Sequence, residues 1–244
     1  MDFLAALWSR VTQTSEPLGL PLLLGSLVVG AVLVLLPATW HTVRHAVTVV
    51  HEGGHGLAAV VTGRRLTGIR LHSDTSGLTV SKGPRSGPGM VMTLLAGYTA
   101  PALAALGASW MLSRGYSAGL LWSLLLVLAL MLVQIRNWFG LWVILVGAAI
   151  VFGVTWFAPT EWQLVFGHVL TVVLGLGALR AAMELQTSRR RTRSGQSDAD
   201  QLARLTRIPG LFWVFVYVLV AVVCAIADAW MLVPAGVLTV PAGL

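Results

Sequence analysis

His51-Glu52-Gly53-Gly54-His55 places two imidazoles and a carboxylate at the spacing H-E-x-x-H, a pattern of metal-dependent hydrolases. On a helix, positions four apart stand ~40° apart around the axis and about one turn apart in height. Two histidines so placed hold one zinc ion, and the glutamate beside them reaches a water activated by that ion. With a helix from about Thr39 to Thr62, His41, Arg44, His45, Thr48, His51, Glu52 and His55 share a ~120° arc. Val43, Val47, Val50, Leu57 and Val61 occupy the other side. A polar stripe on a membrane helix is costly, so it implies a cavity and a function.

The composition sets the surroundings of that helix. Of 244 residues, 57% are hydrophobic and only 10% are charged, whereas a soluble domain carries about a quarter charged residues. The expected fold class is an all-α polytopic membrane protein, one transmembrane domain over 1–244, with a short β-hairpin after the metal-binding helix. Its single cysteine, Cys224, excludes an intramolecular disulfide framework and a cysteine-rich zinc site. Met1 to Pro17 reads as an amphipathic lead-in and not as a cleaved signal.

Hydrophobic runs fall at Gly19–Leu36, the metal helix, Met90–Leu112, Ala118–Val133, Trp138–Phe157, Trp162–Met183 and Leu211–Leu232. They predict about seven crossings, within a range of six to eight. The net charge of +7 is concentrated in two connecting segments. Gly63–Gly89 holds Arg64, Arg65, Arg70, Lys82 and Arg85, and Glu184–Ile208 holds Arg189, Arg190, Arg191, Arg193, Arg204 and Arg207. That distribution is a positive-inside pattern with contacts to the lipid bilayer, and no aromatic-basic platform for nucleic acid accompanies it. With both segments cytoplasmic and seven crossings, the N-terminus is expected inside and the Val233–Leu244 tail outside. Trp40, Trp110, Trp138, Trp162 and Trp230 are expected in interfacial belts.

Within the first basic segment, Ile69–His72 and Gly77–Val80 flank the turn-like Ser73-Asp74-Thr75-Ser76, which predicts a β-hairpin. It is either a solvated loop or a strand edge able to pair with an extended substrate. In Ala96-Gly97-Tyr98-Thr99-Ala100-Pro101, the small residues predict close helix packing, and Pro101 a break in the helix ladder.

A catalytic zinc site needs a third protein ligand. Asp74, Asn137, His168, Glu184, Asp198, Asp200 and Asp228 are the candidates. Asp74 suits an Asx-turn, and Ser197 or Asp198 suits a helix N-cap. Asn137, a weak neutral ligand, suits an outer hydrogen-bonding or oxyanion-stabilising role better. Spacing alone leaves the choice open.

The run His51-Glu52-Gly53-Gly54-His55-Gly56-Leu57-Ala58-Ala59, followed by Gly63 and Ser76-Gly77-Leu78-Thr79, resembles the site-2 protease superfamily. The closer likeness is to its short, site-2-protease-like (peptidase M50B-like) branch of bacteria and plants, with Arg136-Asn137-Trp138 and Ser197-Asp198-Ala199 as further marks. The resemblance spans about His51 to Trp213. It implies one Zn2+ held by His51 and His55, Glu52 as general base, and cleavage of a membrane-embedded or juxtamembrane peptide bond in a bacterial cell membrane. Such proteases usually take their third ligand from an Asp-Gly motif, which this sequence lacks; Asp198 is taken in its place. Two rival expectations remain: a catalytically inactive scaffold, and a metal or proton transporter using the His41–His55 stripe.

Overall fold

A computed structural model describes residues 3–192 and 195–232. Among them the helices are α1 (Phe3–Thr12), α2 (Leu20–Leu35), α3 (Pro37–Val61), α4 (Pro88–Ser113), α5 (Ser117–Gln134), α6 (Trp138–Phe157), α7 (Thr160–Thr192), α8 (Asp198–Thr206) and α9 (Gly210–Leu232). The strands β1 (Arg65–Leu71) and β2 (Gly77–Lys82) pair antiparallel between α3 and α4. Arg193 and the tail 233–244, for which expectations were stated, lie outside the described residues.

All seven hydrophobic runs are helical, and by length and apolar character they give five or six candidate crossings, the upper value meeting the low end of the expected six to eight. Helices α4, α5, α6, α7 and α9 are each long and apolar enough to cross a membrane; α2 and α3 qualify only as a pair bent by 98°. The count is therefore five, or six with the bent pair as one span. The cause is local. Pro37 opens α3 one residue after α2 ends, and Leu36 between them is extended at φ −76°, ψ 129°. One extended residue bends a chain but does not reverse it. The chain is a multi-pass membrane protein whose outward faces carry exposed apolar residues, among them Leu126, Leu130 and Val133 on α5 and Val223 and Ile226 on α9.

Helix α4 is the central post, packed by α3, α7 and α9. Small residues permit this: Ala102, Ala105, Ala178 and Ala221 are essentially without solvent exposure. A Cβ on Gly54 would lie 2.8 Å from Ala96 O, so α3 and α4 approach as closely as glycine allows. The expected break at Pro101 is absent. Helix α4 runs continuously through it, and Pro101 is buried.

The bundle has two unlike ends. At one, Leu94 of α4 packs with Leu185, Ala199, Leu202 and Tyr217, beside the hairpin and the second basic segment. At the other, Ala108 and Leu112 of α4 pack with Leu18, Leu23, Leu120 and Leu164, and Ser15 N donates to Gly115 O at 2.9 Å. The segment around Ser15 and the two basic segments were expected on the same side. They lie at opposite ends, because α2 and α3 contribute one bent traverse in place of two.

Trp110, Trp138, Trp162 and Trp230, expected in interfacial belts, are all exposed. Trp40 is instead buried, with its indole N–H donating to Glu184 Oε1 at 2.9 Å. Cys224 is buried.

Candidate metal centre

His51 and His55 face the same side of α3, one turn apart, with His55 Nε2 and His51 Nε2 3.1 Å from each other. Asp198, the first residue of α8, brings Oδ2 to 3.4 Å from His51 Nε2 and 3.3 Å from His55 Nε2. Ligands of a tetrahedral zinc sit ~2.0–2.2 Å from the ion and therefore about 3.3–3.6 Å from one another. The three donors thus converge at a spacing that fits one metal ion, and they are the group of that kind found among the described residues.

Each donor is held from behind. His55 is buried, and its Nδ1–H donates to Thr93 O at 2.7 Å, which leaves Nε2 with a free lone pair. The His51 ring meets Tyr98 edge-on, with centroids 4.6 Å apart. Gly97 lies beneath both rings; a Cβ there would stand 2.8 Å from His51 Cε1 and closer still to the His55 ring. Burial alone would raise the pKa of the Asp198 carboxyl. When the histidine rings are protonated, the His55 charge and hydrogen bonds from both rings hold that carboxyl below the ordinary carboxylate range.

Asp198 reaches the histidines because α8 is pinned. Ser197 caps the helix, its Oγ accepting from Asp200 N at 3.3 Å and donating to Asp200 Oδ2 at 2.6 Å. Arg189, near the end of α7, donates to Asp200 Oδ1 through Nε at 2.9 Å and Nη2 at 2.7 Å. Burial would raise the Asp200 pKa, but Arg189 and Ser197 lower it. Ala199 and Leu202 are fully buried on the apolar side of α8. Sequence reasoning caught the cap but missed Arg189, because nothing in a basic run marks one arginine as a clamp.

Glu52 is 4% exposed, and its Oε2 accepts from Thr79 Oγ1 at 2.6 Å. The hairpin comes so close that a Cβ on Gly77 would fall 2.6 Å from Glu52 Cδ. Thr48 Oγ1 donates to Thr75 O at 2.9 Å, which fixes the turn to the same face of α3. The other edge of the sheet is closed. Arg136 N donates to Ile69 O at 2.9 Å, and the Asn137 side chain accepts from Leu71 N at 3.2 Å and donates to Leu71 O at 2.7 Å.

That pairing occupies Asn137. Its amide clamps β1, and it does not line the cavity around the histidines, so the expectation of an oxyanion donor gives way to a structural role. Asp74 makes its Asx-turn, accepting from Ser76 N at 2.9 Å and Ser76 Oγ at 2.7 Å. His168 donates to Leu164 O within α7. Glu184 binds Trp40 and Arg180, and Asp228 faces α7 beside Gly175. None of these four joins the histidines.

A cavity of about 440 Å³ opens over His51, Glu52, His55 and Asp198, with Thr75 to Thr79 of the hairpin along one side and Tyr98 and Gln201 among its other walls. A larger opening of about 570 Å³, around Arg10, Glu16, Trp156 and Glu161, lies at the far end and contains none of these residues.

The family model described as Peptidase M50B-like matches residues 24–228. No curated protein and no solved structure matches the chain. The matched span runs from α2 through the histidine helix, the hairpin and α8 into α9, so it takes in every element that supplies a donor. The chain belongs to the Peptidase M50B-like family, a site-2 protease family.

Proposed function

We propose that this chain is a zinc-dependent membrane peptidase that hydrolyses a peptide bond in a membrane-embedded or juxtamembrane segment of another protein. The convergence of His51, His55 and Asp198 beside a buried Glu52 carries this reading. His51, His55 and Asp198 would hold the ion. When bound, it supplies Lewis-acid activation of water and polarisation of the scissile carbonyl.

The remaining work falls to the chain itself. Glu52 accepts the proton of the attacking water and delivers it to the departing amine. Thr79 Oγ1 holds one oxygen of that carboxylate, so the other is oriented before substrate arrives. The Thr93 carbonyl keeps His55 in the tautomer that leaves Nε2 unprotonated. A helical peptide bond is shielded by its own hydrogen bonds, so the substrate must be extended. The outer edge of β2 borders the cavity and offers it main-chain partners, whereas β1 is already covered by Ile135 and Arg136. By the positive-inside rule, the end that holds the site is cytoplasmic and the segment around Ser15 lies on the opposite side.

The missing Asp-Gly motif was the ground for an inactive scaffold. The approach of Asp198 to both histidines supports the peptidase over that alternative. The test is metal content and hydrolysis of the detergent-purified protein. About one zinc per chain is expected for wild type and for Glu52→Gln, with hydrolysis of membrane substrates lost in Glu52→Gln. His51→Ala and Asp198→Ala are expected to lose both zinc and hydrolysis. Full hydrolytic activity in Glu52→Gln would refute the proposal.

A further inference from the structure

Arg44 stands two turns before His51 on α3 and, among the described residues, is the only lysine or arginine that lines the cavity. Its side chain is 36% exposed. Its nearest acid is Glu184, whose Oε1 already accepts from Trp40 at 2.9 Å and from Arg180 at 3.0 Å. Arg44 Nη1 lies 3.2 Å from the other oxygen, Oε2, which has no hydrogen-bond partner. Two guanidiniums therefore share one carboxylate, and Arg44 meets it through Nη1 alone, with its guanidinium carbon 5.9 Å from the centre of the Trp40 ring. Across the turn, Asp74 is bound by Ser76.

The position of this charge has a measurable meaning. Seven residues separate Arg44 from His51, so the two share a face and lie about 10.5 Å apart along the helix axis. An extended peptide advances about 3.3 Å per residue, so that distance spans about three residues. The hairpin lies along the same face of the helix, with its turn fixed at Thr48 through Thr75 and β2 fixed at Glu52 through Thr79. A strand laid against its outer edge passes from the histidines toward Arg44.

We infer that Arg44 selects substrates carrying a carboxylate about three residues from the scissile bond. This inference rests on the peptidase reading of the same cavity. A guanidinium binds a carboxylate through two parallel N–H···O bonds, which fixes both charge and distance. The carboxylate comes either from an Asp or Glu side chain or from a free C-terminus. A strand antiparallel to β2 would place it on the C-terminal side of the cut.

The test is peptide binding to zinc-loaded Glu52→Gln protein in detergent micelles, so that nothing is turned over. The probes are fluorescent Leu/Ala peptides with one Glu or Gln scanned along the sequence, each made with a free or an amidated C-terminus. Glu is expected to bind about tenfold tighter than Gln at one position, the scale of a charge-assisted hydrogen bond. Adding Arg44→Gln removes that preference, and Arg44→Glu transfers it to peptides bearing Lys. If the preference follows the free C-terminus, the carboxylate is terminal; if it survives amidation, it is a side chain. A flat Glu-to-Gln ratio with Arg44 intact overturns the inference without any substitution at Arg44. So does a preference that persists in Arg44→Gln protein with its zinc content retained. Cleavage by wild type then reads the peptidase separately: the selected carboxylate is expected about three residues from the cut, whereas selection without cleavage leaves Arg44 as a carboxylate site and refutes the peptidase.

Discussion

Replacing Arg189 with Met tests whether the proposed zinc site depends on the docking of α8. Arg189 touches none of the three donors; it acts through Asp200, two residues after Asp198. The side chains of Arg189 and Asp200 are 17% and 19% exposed, so the pair is shielded but not fully buried. Two hydrogen bonds to one carboxylate oxygen in that setting contribute roughly 1–2 kcal/mol after solvent screening. Methionine keeps the apolar bulk, and Leu202 and Ala199 continue to hold α8 by burial. The helix stays associated, but the arrangement that presents Asp198 becomes the minor one, which costs about tenfold in zinc affinity per 1.4 kcal/mol. Competition between the purified protein and a chromophoric chelator measures that constant. The expected result is full zinc content at saturation with affinity about five- to thirtyfold weaker, which overlaps the range seen when groups behind metal ligands are removed. An unchanged affinity in Arg189→Met would show that the apolar contacts of α8 suffice, and the clamp reasoning would fall.

Three further outcomes follow from the same geometry. Gly97→Ala drives a methyl into both histidine rings, so zinc affinity is expected to fall by at least about tenfold; the chelator titration reads it. Thr79→Val removes the hydrogen bond to Glu52 and should leave zinc content intact while lowering hydrolysis by about tenfold, the scale of one hydrogen bond to a charged group. Asn137→Ala frees the Leu71 N–H and carbonyl, so thermal stability should drop by about 1–3 kcal/mol with zinc retained in the folded fraction. Loss of zinc from folded Asn137→Ala protein would return that residue to the metal's surroundings.

The parts legible in the sequence are those governed by short-range periodicity. The four-residue step from His51 to His55 fixes two donors on one helix face wherever the helix goes. The alternation on either side of Ser73–Ser76 likewise sufficed for the hairpin, whose strands run a few residues beyond the expected ones. The bend at Leu36 was hidden because hydropathy counts apolar length and does not see that a single residue separates two helices. Thr79 and Thr93 were illegible as supports of Glu52 and His55: a threonine at the edge of a strand or within a helix has no pattern until the neighbouring element is placed. Asp198 was selected by resemblance, while its position as first residue of a capped helix argued for capping. The structure removes that conflict, because Ser197 performs the cap and leaves the Asp198 carboxylate to point at the histidines.

The site joins elements of unlike character. Two donors and the glutamate come from α3, which does not qualify as a membrane span by itself, and the third comes from the nine-residue α8 between two spans. Helix α4, which does qualify, supplies no donor; its contribution is Gly97 and Thr93, the spacer and the hydrogen-bond acceptor behind the rings. The helices that qualify as spans thus form the frame, and the donors sit on α3 and on the short α8 docked at one end of it. The three donors and Glu52 are gathered at the end of the frame that carries the hairpin. An extended substrate strand can also reach them at that end, since the hairpin edge and the cavity lie at the same level as the histidines. The 98° bend at Leu36 makes this possible. Had α2 continued straight into α3, the His51–His55 face would have been carried along the bundle, away from α8 and from the hairpin that holds Glu52.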